Sequence, residues 1–435
     1  MDGNCIFCFL TSERQKQLRK IAQLQADKFE DILEKYKEIF IRNFSISKSK
    51  KICNKHLSIL NSYDINKNIK NITEDEIESF FNEIIEIYTK WISGEAYTSI
   101  EKLKTLMSSY SLLEEEEFSI TDKVFYRGRK AGERILNCYD MFHIPYDKRY
   151  LVGNQRFSLS GYPLLYLNAS IDGVIAELDI TEDNFNEYVF SSFHFKEKSK
   201  IYSLANPFKD FLLKKYEKSS NNIYKEEDIS QDTIKRKLFK FILASICCFE
   251  KRIQHKVQEK KGINIFYEEY IIPQALTQVL KLYKYDGIFY PSTRIKEVEN
   301  GLFNEKTFNL AYFPEYRERH YDNVLYEKID ISTPISISNI EDLSDVGMDL
   351  NELILSVDLS NLPPEKFDLY FTLFNIYVQN FNEYLNEKNN GKNRKNKKNK
   401  EDIDNFKIKS YNFNKNLLFN FLLKSILDIS SSKGE

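Results

Sequence analysis

A chain of 435 residues with 42% hydrophobic and 14% aromatic side chains can bury two or three cores, which excludes disorder throughout. Only 13 Gly and 9 Pro interrupt it, which argues against a Gly-rich phosphate loop and for long helices with few breakers. The formal charge of −2 exerts no global pull on nucleic acid or anionic lipid, so neither is an expected partner.

The start, Met1-Asp2-Gly3-Asn4-Cys5, lacks the basic-then-apolar layout of a signal peptide. Apolar runs break at Lys, Glu or Asn short of the roughly 20 residues a membrane span needs. Six cysteines in so long a chain are no disulfide framework, and the expected compartment is the reducing cytoplasm.

In chain order, Ser12-Glu13-Arg14-Gln15 has the form of a capping box opening a helix. Leu18, Ile21, Gln25, Phe29, Ile32, Leu33, Tyr36 and Phe40 continue it at mostly three- and four-residue steps. Thr73-Glu74-Asp75-Glu76 repeats the signature ahead of Ile77, Phe80, Phe81, Ile84, Ile85, Tyr88 and Trp91, a second amphipathic helix. Residues 1–118 are expected to form a helical module.

From Val124 short β-branched and aromatic runs predict strands: Val124-Phe125-Tyr126, Leu164-Leu165-Tyr166-Leu167, Tyr188-Val189-Phe190 and Ile288-Phe289-Tyr290. Helical stretches intervene around 208–216 and 233–252, and another starts at Pro273. Residues 119–337 therefore read as α+β, with a helical insertion at about 207–265. Residues 338–435 turn mainly helical. Their Lys- and Asn-rich stretch within 386–402 carries no aromatic to stack on a base and reads as a solvated loop.

Two short knuckles, Cys5-x-x-Cys8 and Cys53-x-x-His56, supply four soft donors with little loop strain. Tetrahedral zinc wants that set, and with all four positions taken by protein the ion would be structural. Small apolar cysteines beside a surface His are the plainer alternative.

Three further stretches carry polar residues in strand-like surroundings. They are Phe125-Tyr126-Arg127-Gly128-Arg129, Arg156-Phe157-Ser158 running on to Asn168 and Glu177, and Asp286-Gly287-Ile288-Phe289-Tyr290-Pro291-Ser292. Glu177 lies in the apolar Val174-Ile175-Ala176-Glu177-Leu178, where a carboxylate is costly unless solvated, paired or used. A helix-surface Glu and a rim Arg are the plain readings of Glu177 and Arg127.

Together these stretches resemble the RES family. The resemblance extends to Met141-Phe142-His143-Ile144-Pro145-Tyr146-Asp147-Lys148-Arg149, Gly161-Tyr162-Pro163-Leu164-Leu165-Tyr166-Leu167, Tyr270-Ile271-Ile272-Pro273-Gln274 and Asn309-Leu310-Ala311-Tyr312-Phe313, in that order. It covers Val124 to Phe313, less than half of the chain.

The resemblance implies an α+β core similar to ADP-ribosyltransferases and cleavage of the nicotinamide–ribose bond of NAD+, as in toxins of toxin–antitoxin pairs. It also implies an inhibitory antitoxin or regulator as partner; a homo-oligomer is a further expectation. On residue chemistry, Arg127 and Arg156 suit a pyrophosphate, since guanidinium forks bind such oxygens in pairs. Tyr166 offers a ring face, and Glu177 suits the positive charge of an oxocarbenium-like state. By the resemblance Ser292 is expected to orient the ribose or the amide, with Tyr126, Arg129 and Asn168 as weaker neighbours. The insertion and the large flanks depart from compact family members and leave the acceptor open. Modification of a macromolecule, and a silent zinc-containing nucleic-acid-binding module, are the alternatives.

Overall fold

The computed structural model describes residues 5–59, 61–113, 118–131, 136–209, 229–252, 266–294, 307–317 and 320–336, with positions 415, 418, 419, 422 and 423. Nearly all of 338–435, the basic loop, and most of the expected helix at 208–216 lie outside the described residues.

The described elements are, in order, α1 (Ile6–Phe9), α2 (Ser12–Gln25), α3 (Phe29–Ser49), α4 (Ser62–Lys70), α5 (Glu74–Ile92), α6 (Ala96–Ser109), β1 (Val124–Lys130), α7 (Cys138–Met141) and β2 (Leu165–Asn168). They continue as α8 (Ile171–Glu177), β3 (Tyr188–Phe195), β4 (Ile201–Ser203), α9 (Gln231–Ile246), α10 (Ile271–Leu282), β5 (Gly287–Pro291), β6 (Phe308–Tyr312), α11 (Asn323–Glu327), β7 (Ile329–Ile331) and β8 (Ile335–Ser336). This is a mixed α+β fold with a helical N-terminal region and eight described strands.

Two compact units emerge, both discontinuous in sequence. The first comprises 1–118, 149–163 and 200–313; the second comprises 119–148, 164–199 and 314–435.

In the first unit the helical layer is built on aromatic side chains. Phe29, Tyr36, Phe40, Phe44, Phe80, Phe81 and Tyr88 are all fully buried. Most of their rings meet edge-on or tilted, as Tyr36 does with Phe81 at 5.7 Å and with Phe249 at 5.3 Å, which suits the aromatic quadrupole, while Phe40 and Phe44 stack. The capping box at Thr73 forms as read: its side chain accepts from the Glu76 amide while Glu76 reaches back.

At the first helix the cap falls one residue earlier than the pattern suggests, since Thr11 accepts from the Arg14 amide. Gln15 instead donates to the Phe9 carbonyl at 2.9 Å. The long periodic run is also two helices, because Ala26 is extended and α3 restarts at Phe29. The four-residue step from Gln25 to Phe29 preserves the helical rhythm across the turn, so periodicity is blind to it. The same unit carries β4 parallel to β5 and β5 antiparallel to β6.

The second unit is organised around β1, which pairs antiparallel with β2 and β3. Strand β3 in turn pairs with β7 and β8. Helix α8 lies close on the face of β1 that Tyr126 and Gly128 present. A Cβ on Gly128 would come within 2.6 Å of Val174 Cγ1 and 2.9 Å of Leu178 Cδ1. Tyr126, Ile171, Val174, Phe185, Phe190, Leu418 and Leu422 make the core there.

At its start α8 is capped by Ser170, which accepts from the Gly173 amide at 3.0 Å. Gly173 sits against Asn168, and a Cβ would fall 1.7 Å from Asn168 Oδ1. Gly173→Ala must therefore push the buried amide aside. A loss of about 1–3 kcal/mol is expected, as for overpacked sites. Chemical denaturation measures it, and an unchanged midpoint would contradict the close approach of α8 to β2.

Candidate functional site

The best-defined constellation joins the two knuckles in the first unit. Cys5 precedes α1, whose first turn brings Cys8 back beside it. Cys53 opens a 3-10 turn over Asn54–His56 that returns the imidazole. Cys5 Sγ is 3.6 Å from both Cys8 Sγ and Cys53 Sγ, and the Cys8–Cys53 separation is 3.8 Å. His56 Nδ1 lies 3.4, 3.4 and 3.2 Å from the sulfurs of Cys5, Cys8 and Cys53.

A tetrahedron with Zn–S of about 2.3 Å and Zn–N of about 2.0–2.1 Å has S–S edges near 3.8 Å and S–N edges near 3.5 Å. The donors match that shape. With protons alone the cluster is frustrated. Donation from Cys8 pulls the Cys5 pKa well below that of a free thiol, and Cys8, the donor, is pushed up. A divalent cation relieves this by taking the place of the protons. Cys5, Cys8, Cys53 and His56 can therefore hold a zinc-like ion.

The remaining expected site residues divide between the units. In the second, Tyr126 is buried in the core on the α8 side of β1, and its ring meets Phe419 at 5.6 Å. Burial pushes its hydroxyl pKa up. Asn168 pairs opposite Tyr126 in the β1–β2 register and is buried, with Oδ1 accepting from the Ser170 amide at 3.2 Å. Tyr166 lies half-buried on β2. Glu177 is the half-buried last residue of α8. Its neighbour Leu178 is the residue that closes on Gly128, so the end of α8 is brought beside the residue that follows Arg127.

Arg127 points to the opposite face of β1, since strand residues alternate. Its Nη1 donates to the Phe142 carbonyl at 2.8 Å, and among the described residues no carboxylate pairs with it. Burial, reinforced by the charge of Arg129, lowers its pKa to about 10, which still leaves it charged at neutral pH. A guanidinium taken from water without a counter-charge is costly and favours an incoming anion.

In the first unit, Arg156 is 7% exposed. Its Nη1 donates to the Cys247 carbonyl at 2.8 Å, Nη2 to Thr293 Oγ1 at 3.3 Å, and the guanidinium lies 4.9 Å from the Tyr270 ring centroid. Ser292 follows β5; its amide donates to the Thr307 carbonyl at 2.8 Å and its hydroxyl accepts from the Arg294 amide at 3.2 Å.

Two residues beside Arg127 have more defined surroundings than the sequence suggests: Arg129, expected only as a weaker neighbour, and His143, given no role of its own. Arg129, on the same strand face, donates through Nη1 to the Asp140 carbonyl. His143 is 1% exposed; its Nε2 accepts from the Asp322 amide at 3.0 Å and its Nδ1 pairs with the Ile144 carbonyl at 2.7 Å. The first bond requires a bare Nε2, so Nδ1 bears the proton and the ring is neutral. Burial holds its pKa down to about 4, with the Arg127 charge acting in the same direction. The Phe-His-Ile-Pro stretch was the available signal, but its partners are main-chain groups that no spacing encodes.

Over 282 residues the chain is 28% identical to the putative toxin YopC of Bacillus subtilis (strain 168), an alignment covering 60% of this chain and 59% of that protein. It thus spans less than two thirds of its relative's length. No protein-family model matches the chain, and no solved structure matches it. Among the described residues no helix is long and apolar enough to cross a membrane.

Two outcomes are expected. Metal analysis of purified protein should find one divalent ion per chain, lost in Cys5→Ser/Cys8→Ser together with several degrees of Tm. Well-folded, metal-free wild type would refute the centre. His143, neutral when folded, takes a proton at its ordinary pKa of 6.5 when unfolded. Its contribution is therefore whole above pH 6.5 and drains away as pH falls toward about 4, amounting to roughly 3 kcal/mol. His143→Gln should flatten that part of a Tm-against-pH curve; parallel curves would reject the assignment.

Proposed function

We propose that this chain is an NAD+-cleaving toxin of RES type, with an ADP-ribosyltransferase-like core that breaks the nicotinamide–ribose bond. The observation that carries the reading is Arg127, a half-buried cation lacking a carboxylate among the described residues. NAD+ presents a pyrophosphate, whose paired oxygens a planar guanidinium fork fits. The ordered motifs from Val124 to Phe313 and the similarity to a protein named a putative toxin support it further.

In this mechanism Arg127 binds the pyrophosphate, and Tyr166 packs on the nicotinamide or its ribose. The Glu177 carboxylate faces the ribose as the glycosidic bond breaks and positive charge develops on it. Tyr126 and Asn168 support the pocket from β1 and β2. Water or phosphate accepts the ADP-ribose, which makes the enzyme a glycohydrolase or a phosphorylase. The four-donor centre holds structural zinc, since no coordination position is left open for chemistry. An inhibitory antitoxin keeps the activity in check.

NAD+ consumption by purified full-length protein tests this. Glu177→Ala and Arg127→Ala should each lower turnover at least a hundredfold while the circular dichroism spectrum persists. Undiminished turnover in Glu177→Ala would sink the mechanism. Label from NAD+ appearing on protein or nucleic acid, rather than as free ADP-ribose or its phosphorylated form, would make the enzyme a macromolecular ADP-ribosyltransferase.

A further inference from the structure

We propose that Arg127 and Arg129 form a paired guanidinium site for a diphosphate-bearing ligand, and that His143 is the positioning residue that holds the loop orienting both. The proposal rests on the reading of Arg127 as an anion clamp and adds its second arm.

Arg127 and Arg129 are alternate residues of β1, opposite Ser191 and Val189 of β3, and so share one face of the strand. Each is steered by a main-chain carbonyl of a single loop, Arg127 by Phe142 and Arg129 by Asp140. A carbonyl orients a guanidinium without cancelling its charge. Among the described residues neither arginine has a carboxylate partner, so two positive charges stand side by side. The contrast lies one residue on: Lys130 is exposed and its ammonium is paired with Glu187 at 2.7 Å. Two like charges held this way repel, and a ligand carrying at least two negative charges turns that repulsion into attraction. Tyr321 adds an aromatic wall, its ring 5.5 Å from Tyr139 and 5.6 Å from His143. Burial first, then the Asp140 charge, pushes its hydroxyl pKa up, with the Arg129 charge acting against them.

The loop can orient the arginines only because it is itself fixed. His143 accepts the Asp322 amide and engages the Ile144 carbonyl, spending both ring nitrogens. Tyr146 donates its amide to the His320 carbonyl at 2.7 Å and its hydroxyl to the Pro314 carbonyl at 2.9 Å. Asp322 is held in turn, accepting from the Glu315 amide at 2.7 Å and the Leu325 amide at 3.2 Å. His143 has no free nitrogen to offer a reacting group. Its influence on a ligand passes through the Phe142 and Asp140 carbonyls.

Calorimetric binding of inorganic pyrophosphate to the full chain, with orthophosphate as comparison, tests the proposal without relying on NAD+ chemistry. Arg129→Gln should weaken pyrophosphate roughly tenfold or more, as loss of a charge-assisted fork does, with Arg129→Lys intermediate. Lys130→Gln should stay within about twofold. His143→Ala should weaken binding several-fold, and His143→Gln, which still presents an amide oxygen to Asp322, should recover part of it. In NAD+ assays Arg129→Gln should raise KM more than it lowers kcat. Orthophosphate binding as tight as pyrophosphate, equal losses in Lys130→Gln and Arg129→Gln, or full affinity in Arg129→Gln would each overturn the paired site. Equal affinity in the two His143 variants would overturn its positioning role. Pyrophosphate binding as expected with no NAD+ cleavage would sink the NAD+ reading alone; cleavage with full pyrophosphate affinity in Arg129→Gln would sink the paired site alone.

Discussion

A guanidinium partly withdrawn from water needs either a counter-charge or a structure able to bear its cost, and the second unit supplies the latter around Arg127. Strand β1 is held by β2 and β3, so the backbone beneath the arginine cannot yield. Gly128, the next residue, lets α8 close on the strand from the other side. The loop above presents carbonyls rather than carboxylates. Each feature keeps the charge in place and leaves it uncancelled, which costs folding stability and retains electrostatic potential for an anion.

The first unit solves a different problem, the anchoring of a short and otherwise marginal N-terminal turn. A four-residue helix such as α1 has no stability of its own. It is held at one end by the Cys and His donors and at the other by buried hydrogen bonds. Gln15 donates to Phe9, Tyr36 donates to Gln15 at 2.9 Å, and Ser245 lies 2.6 Å from the Tyr36 hydroxyl. Arg19 donates to the same Ser245 oxygen at 2.7 Å. The network is satisfied by residues from α2, α3 and α9, so metal ligation and helix packing support one another.

Much of this was legible wherever the determinant was local. Period and capping identify α5, and knuckle spacing identifies the four metal donors, because each signal sits within a few residues. The break between α2 and α3 was hidden, since its turn keeps the apolar rhythm while returning the chain to bury both faces. The short strands β4, β6, β7 and β8 were also missed. Ile201–Ser203 and Ile329–Ile331 are only three residues long, too short for alternation to stand out, and are strands because partners exist for them. For the candidate site, Arg127 and Glu177 were visible as polar residues in apolar company. Arg129 was visible only as a weaker neighbour and His143 only as part of a motif, because what defines their roles is a set of backbone carbonyls and amides supplied from 138–147 and 314–322.

The same comparison separates the two arginines that the residue chemistry treats alike. Arg156 directs its guanidinium at the Cys247 carbonyl and the Thr293 hydroxyl with Tyr270 beneath, so protein groups already absorb much of its donor capacity. Drawing it toward a ligand would break bonds that are buried and costly to lose. Arg127 spends one donor on Phe142 and has several remaining, with no carboxylate to displace among the described residues. Residue type and motif position make the two equivalent; hydrogen-bond accounting does not. On that accounting Arg127, with Arg129 beside it on the same strand face, is the better placed to meet an incoming phosphate, and Arg156 acts first as a brace between the end of α9 and the turn after β5.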